Sequence, residues 1–183
     1  MHPSVMQFLR ERVFADEILG MEVLEVGSQD VNGSPREVLI PHKPKKYVGV
    51  DFAQARGVDI VMDVKDLTSY FGVDWFDVVI STEMLEHAKD WRTAVAQMKS
   101  VLRPGGLLVV TARGPGFPYH GYPHDYWRYT VDDFKRIFSD TWIQHVGKDT
   151  DHCLPGVFLK ARKTGATGSV DLSEINVAPI ASP

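Results

Sequence analysis

Val23-Leu24-Glu25-Val26-Gly27-Ser28-Gln29-Asp30-Val31-Asn32-Gly33-Ser34 runs from an apolar strand pattern into a polar turn that holds two glycines. Valine and leucine up to Val26 suit a buried strand that gives way to the turn at Gly27. Ser34-Pro35 then offers a helix start, a capping hydroxyl followed by a proline whose missing N–H costs nothing in the first turn. Strand, turn and helix in such quick succession bring backbone N–H groups together at the carboxyl end of a strand, where ligands bind in open parallel sheets. The stretch reads as the first strand and cofactor loop of an α/β enzyme.

The same loop narrows the ligand. A dinucleotide loop needs glycines at its first, third and sixth positions, but counting from Gly27 these fall on Gln29 and Asn32. A mononucleotide P-loop needs Gly-Lys-Ser/Thr, whereas Gly33 is followed by Ser34 and Pro35. Carboxylates at Glu25 and Asp30 would repel a pyrophosphate and attract a cationic amino or sulfonium group. A nucleoside without phosphate is the expected ligand, and an NAD-dependent oxidoreductase is disfavoured.

A chain of 183 residues can bury a real core as one domain. Its net charge of −4 and its short basic patch, Lys43-Pro44-Lys45-Lys46, give no broad attraction to nucleic acid or anionic membrane. Cys153 is the only cysteine, so no intrachain disulfide forms and a reducing, cytoplasmic setting is expected. No apolar run approaches the ~20 residues that span a bilayer. Polar residues at Gln7, Arg10, Glu11 and Arg12 interrupt any signal-like stretch near the start.

Outward from the loop, Val5, Phe8, Leu9 and Val13 predict an amphipathic lead-in helix. Residues 46–52 predict a second buried strand carrying Asp51, which lies 24 positions beyond Gly27. An acidic residue about 20 positions on accepts the ribose hydroxyls in nucleoside-binding βαβ units. Residues 59–64 read as a third strand ending at Asp63, which either accepts from an adenine amino group or caps the helix at 67–71. Residues 75–82 read as a fourth strand, leading into Glu83-Met84-Leu85-Glu86-His87. Asp90 then caps a helix whose Trp91, Val95, Met98 and Leu102 stripe faces the core. Arg103-Pro104-Gly105-Gly106 stops that helix before a fifth strand at 107–112.

Residues 114–129 are too long and too aromatic for a plain connection, carrying Phe117, Tyr119, Tyr122, Tyr126, Trp127 and Tyr129 beside His120, His124, Asp125 and Arg128. They either form a lid over an acceptor pocket or pack the loop onto the sheet. Thr130-Val131-Asp132-Asp133 predicts a capped helix, and 142–146 and 157–162 predict two last strands. Residues 164–183 read as a flexible tail after a single domain at 1–163, although the tail could dock on a second copy of the chain in a homo-oligomer. Alternating strands and helices make a mostly parallel sheet the expected architecture.

In this order the motifs resemble the class I methyltransferases that use S-adenosylmethionine, above all the broad "methyltransferase type 11" group. Val-Leu-Glu-Val-Gly resembles the family's first motif, Val-Gly-Val-Asp its second-strand ribose motif, and Phe-Asp-Val-Val-Ile-Ser-Thr-Glu-Met-Leu-Glu-His its fourth-strand motif. Leu-Arg-Pro-Gly-Gly-Leu-Leu-Val-Val resembles the turn before the fifth strand. The resemblance covers residues 21–163 and implies a Rossmann-like seven-stranded, mostly parallel sheet with helices on both faces and the last strand antiparallel. It implies S-adenosyl-L-methionine as cofactor, with Glu25 and Gly27 at its methionine part, Asp51 at the ribose and Asp63 with Val64 at the adenine. Ser81, Thr82 and Glu83 would flank the methyl side, and Ser28 and Phe52 adjoin the set. The family's Gly-x-Gly-x-Gly is here Gly27-Ser28-Gln29-Asp30-Val31, with two glycines replaced.

Methyl transfer from a sulfonium is an in-line displacement that calls for alignment and exclusion of water. The expected acceptor is a small polar molecule, a sugar or another metabolite. Ser-Thr-Glu-Met stands where DNA amino methyltransferases carry an Asn/Asp/Ser-Pro-Pro-aromatic motif, so nucleic acid is disfavoured. Candidate bases are His87, His124 and Asp125. No metal is expected, because Gly121 and Pro123 oppose a helix that would pair His120 with His124 and no third ligand stands out. The altered glycine loop leaves one alternative, a non-catalytic binding module of the same fold.

Overall fold

The computed structural model describes residues 2–121, 123–149, 151, 153–165 and 170–180. The chain forms α1 (Pro3–Arg12), α2 (Ala15–Ile18), β1 (Glu22–Val26), α3 (Arg36–Leu39), β2 (Lys46–Asp51), β3 (Ile60–Val61), α4 (Leu67–Phe71) and β4 (Phe76–Thr82). It continues through α5 (Trp91–Val101), β5 (Leu102–Arg113), β6 (Trp127–Arg128), α6 (Val131–Ile137), β7 (Thr141–Lys148), β8 (Gly156–Lys163) and β9 (Ala178–Pro179). Seven strands make one sheet in the order β3-β2-β1-β4-β5-β8-β7. The first five in chain order pair in parallel, and β8 runs antiparallel to both its neighbours. The expected Rossmann-like sheet is therefore present, its last strand reversed.

Alternation along the strands splits the core in two. Val23, Val78, Ile80, Leu107 and Val109 face α1 and α3, where Val5, Phe8, Leu9 and Leu39 pack on them. Leu24, Val26, Val79, Leu108 and Val110 face the other way, onto Leu67 of α4, Trp91, Val95 and Met98 of α5, and Phe134 of α6.

The expected caps are in place: the Asp90 side chain accepts from Thr93 N at 3.1 Å, and Thr130 and Asp133 form a reciprocal capping box at the start of α6. Three elements differ from expectation. The third strand spans only Ile60–Val61, because the Asp63 side chain turns the chain into a 3₁₀ turn by accepting from Lys65 N at 3.0 Å. The helix after the first loop is only four residues long, with Ser34 Oγ accepting from Arg36 N at 3.2 Å. Arg103 to Gly106 do not precede the fifth strand but loop out within it: Leu102 pairs with Phe76 and pairing resumes at Leu107 with Val78. Gly105, at φ +79°, closes that excursion.

The stretch expected to be a flexible tail is docked wherever it is described. Ile175 and Val177 are 3% and 5% exposed and join the core beside α5 and α6. Arg92 donates to the carbonyls of Leu172 and Ile175 at 2.9 and 2.6 Å. β9 pairs antiparallel with β6, and Ile180 N donates to Tyr126 O at 2.8 Å. No described helix is long and apolar enough to cross a membrane.

Candidate active site

Parallel strands that stop together leave a crevice at their carboxyl ends, and here a cavity of about 720 Å³ opens there between the loops after β1, β2 and β4. Of the sequence-derived set, Glu25, Gly27, Asp51, Phe52, Asp63, Val64, Thr82, Glu83 and His87 line it. Ser28 and Ser81 do not. Ser28 is buried with its Oγ against Gly49, and Ser81 is wholly buried within β4.

Gly27 sits at φ +79°, and a Cβ there would lie 2.5 Å from Met84 Cγ, so the first loop and the loop after β4 meet across a glycine. Gly27 N and Ser28 N both donate to Val50 O. The two replaced glycines are not needed as glycines: neither Gln29 nor Val31 has a positive φ. Gly57 takes over the close approach instead, at φ +87°, where a Cβ would lie 2.5 Å from Ser28 O. Asp30 closes the turn by accepting from Gly33 N at 2.9 Å and pairing with Arg56 at 3.0 Å, so it serves the loop and does not line the cavity.

Glu25 is 2% exposed and accepts from Tyr47 OH at 2.8 Å, with Arg36 Nε 3.8 Å away. Burial pushes its pKa up to about 8 against the pull of Tyr47 and Arg36. Asp51, at the tip of β2, accepts from Gln29 N at 3.1 Å and from Phe52 N at 2.8 Å. Burial raises its pKa, and those backbone donors oppose the rise. Asp63 is half exposed and paired with Lys65 at 3.2 Å, so capping is its visible task, while its position on the cavity wall leaves it free to meet a ligand as well.

Past β4 the backbone of Glu83 adopts φ +54°, an unfavourable conformation for a side chain with a Cβ and one that recurs at ligand sites. Its N–H is held by Thr111 O and Oγ1 at 3.0 and 3.2 Å. Its carboxylate pairs with the buried Arg113 and accepts from His2 N at 3.1 Å, which brings the start of α1 over the cavity.

The inner end of the cavity is built by the long aromatic loop. His87 Nδ1 lies 2.6 Å from His124 O. Burial holds the His87 imidazole below its ordinary pKa. His124 contributes that carbonyl, while its side chain is exposed and is not brought to the cavity wall. Asp125 does not line the cavity either: its side chain is wholly buried, receives both terminal nitrogens of Arg128 at 2.6 Å and accepts from His120 N at 3.0 Å. Burial alone would raise its pKa, but these donors prevail and lower it.

His120 is the residue the sequence reading left out of the site. Its Nδ1 lies 2.9 Å from Asp125 Oδ2 and its ring packs 4.8 Å from that of His87, both on the cavity wall. Beneath them Glu86 is wholly buried, its pKa raised to about 8 by burial, with Asp125 adding to the rise. The histidine pair of the site is thus His87 with His120, not His120 with His124. Tyr122 of the same loop lies outside the described residues.

Residues 24–110, the segment running from β1 into β5, match the family model described as Methyltransferase domain. No curated protein matches the chain in sequence. Among solved structures, the Burkholderia thailandensis 1,6-didemethyltoxoflavin-N1-methyltransferase, solved with bound 1,6-didemethyltoxoflavin and S-adenosylhomocysteine, is similar at TM-score 0.68 and 15% identity over 89% of this chain and 77% of that one. A Mesorhizobium loti S-adenosylmethionine-dependent methyltransferase is similar at TM-score 0.69 and 15% identity, over 87% and 98%. The [4+2]-cyclase SpnF is similar at TM-score 0.67 and 16% identity, over 88% and 81%. The fold is that of the class I S-adenosylmethionine-dependent methyltransferases. The sequence match to the Methyltransferase domain model falls on the segment carrying the first five strands of that fold.

Proposed function

We propose that this chain is an enzyme that moves a methyl group from S-adenosyl-L-methionine to a small polar acceptor. The observation that carries the reading is the cavity itself, with Glu25 and Asp51 on adjacent strand ends and His87 and His120 at the inner end. Its volume is that of a small-molecule pocket, which run to about 300–1,000 Å³. Its lining suits an uncharged nucleoside joined to a cation. Val50, Met62 and Val64 give an apolar wall for a flat ring, and of the lysines on the wall Lys65 is already paired with Asp63. The described wall residues include no basic cluster to hold a phosphate, their two lysines being Lys65 and Lys89.

When bound, the cofactor supplies a methyl carbon made electrophilic by its positively charged sulfur. Asp51 would hold the ribose hydroxyls while its other contacts fix the loop through Gln29 N. Glu25, once ionised, would face the amino group. Thr82 and Glu83 would flank the methyl side, and the strained Glu83 backbone fixes where the next turn begins. His87 and His120, with the buried Glu86 behind them, would meet the acceptor's attacking atom, and their task is to lower its hold on its proton. His120, Gly121 and Pro123 of the aromatic loop border this end of the cavity.

Calorimetry with S-adenosylmethionine, followed by incubation with labelled methyl donor and a cell extract, tests the reading. Saturable binding and a labelled small molecule are expected. Binding without any labelled product would turn the assignment to a binding module of this fold or to another reaction, and no binding at millimolar cofactor would end it.

A further inference from the structure

Glu86, His87 and His120 bring one carboxylate and two imidazoles together, with a donor atom from each within 4.8 Å of the others. Glu86 is wholly buried, and among the described residues neither of its oxygens has a hydrogen bond of good geometry, although the backbone N–H groups of Glu86 and Arg113 lie near enough to favour its charged form. A carboxylate left in that state is costly unless something positive meets it. The nearby cation, Arg128, is already engaged by Asp125 and by the carbonyls of Phe117 and Pro118.

The two histidines are oriented in the same sense. His87 Nδ1 faces a carbonyl oxygen and His120 Nδ1 faces the Asp125 carboxylate, so each Nδ1 carries the hydrogen and each Nε2 keeps its lone pair. A metal-bound imidazole is held by the same kind of outer contacts, a backbone carbonyl or a carboxylate on its second nitrogen. His120 Nε2 stands 3.8 Å from Glu86 Oε1. That is too long for a hydrogen bond and a few tenths of an ångström wider than the ~3.4 Å that separates two ligands of one tetrahedral zinc.

We propose that Glu86, His87 and His120 bind one divalent ion of the zinc class through the Glu86 carboxylate and the two Nε2 atoms, with a further coordination position open to the cavity. Two imidazoles and one carboxylate favour such an ion over magnesium or calcium, which prefer all-oxygen sites. The ion's role in catalysis rests on the methyl-transfer reading; its binding does not. An acceptor hydroxyl at the open position loses its proton to solvent water. The oxygen lone pair then forms the bond to the methyl carbon as the carbon–sulfur bond breaks, and that bond's electron pair stays on sulfur.

The test uses the full chain without an affinity tag, stripped with chelator and titrated with cobalt(II) chloride in the absence of S-adenosylmethionine. One equivalent should bind with visible d–d absorption, displaced by zinc. His87→Ala and His120→Ala should each weaken binding about 100-fold, and Asp125→Asn about 10-fold through the loss of an outer contact. His42→Ala, in the turn after α3, should change nothing. Circular dichroism of each variant keeps folding apart from binding. Natively folded wild-type protein that gives no saturable cobalt spectrum overturns the site, as does a spectrum indifferent to both histidine substitutions. Labelled methyl transfer that persists in chelator-treated protein overturns the ion's catalytic role alone, whereas a cobalt site without cofactor binding defeats the methyl-transfer reading and spares the metal.

Discussion

Asp51 carries two duties at once, closing the first loop through Gln29 N and offering acceptor oxygens to the cavity. Asp51→Ala should weaken S-adenosylmethionine binding by about tenfold or more, because a buried ribose loses its partner and Gln29 N is orphaned together with it. Asp51→Asn should lose less, since its amide keeps one oxygen for the ribose, and calorimetry of the pair separates the two effects. Equal affinity in wild type and Asp51→Ala would strike the residue from the site. Asp51 and Gly27 were legible in the sequence because a fixed spacing along one βαβ unit reports on their joint position. His120 was not, because its place beside His87 depends on a loop of 16 residues folding back over the cavity, and no local periodicity encodes that. Asp125 carried a signal that could have been used: Arg128 stands three residues away, near enough to neutralise it.

At the scale of elements, capping residues and apolar stripes predicted α1, α5 and α6 almost to their ends, since each is set by contacts within a few residues of itself. Thr130→Ala removes the side chain that accepts from Asp133 N at 3.1 Å, and thermal unfolding should record a loss of about 1 kcal/mol. The C-terminal stretch escaped prediction for the opposite reason. Ile175 and Val177 are too few to form a pattern, yet strand pairing with β6 and the two Arg92 hydrogen bonds hold them in the core. Ile175→Ala should therefore cost about 2–4 kcal/mol, as for other buried aliphatic truncations, and lower the Tm by several degrees. A loss under about 0.5 kcal/mol, the range of an exposed substitution, would mean that the stretch leaves the core in solution.

Over the whole molecule, a buried Glu25 with a pKa near 8 sets protein stability against ligand binding. Its surroundings are Tyr47, which donates to it, Arg36, which attracts it, and the carboxylates of Asp30 and Asp59, which repel it. Unfolded, the side chain releases its proton near pH 4.5; folded, it holds that proton until about pH 8. Between those values the native state binds more protons than the unfolded state, so stability falls as pH rises across the window and levels off above it. The total is on the order of 5 kcal/mol, at about 1.4 kcal/mol per pH unit. A cationic ligand has the opposite preference, because only the ionised carboxylate attracts its amino group. Denaturant unfolding of wild type and Glu25→Gln from pH 5 to 9 should show wild type losing several kcal/mol relative to the variant toward alkaline pH, since glutamine keeps an acceptor for Tyr47 and cannot ionise. Calorimetry over the same range should find wild-type affinity for S-adenosylmethionine rising with pH and the variant's affinity flat. Parallel curves in both experiments would mean that Glu25 is ionised throughout, and the coupling between this carboxyl and the cavity would be gone.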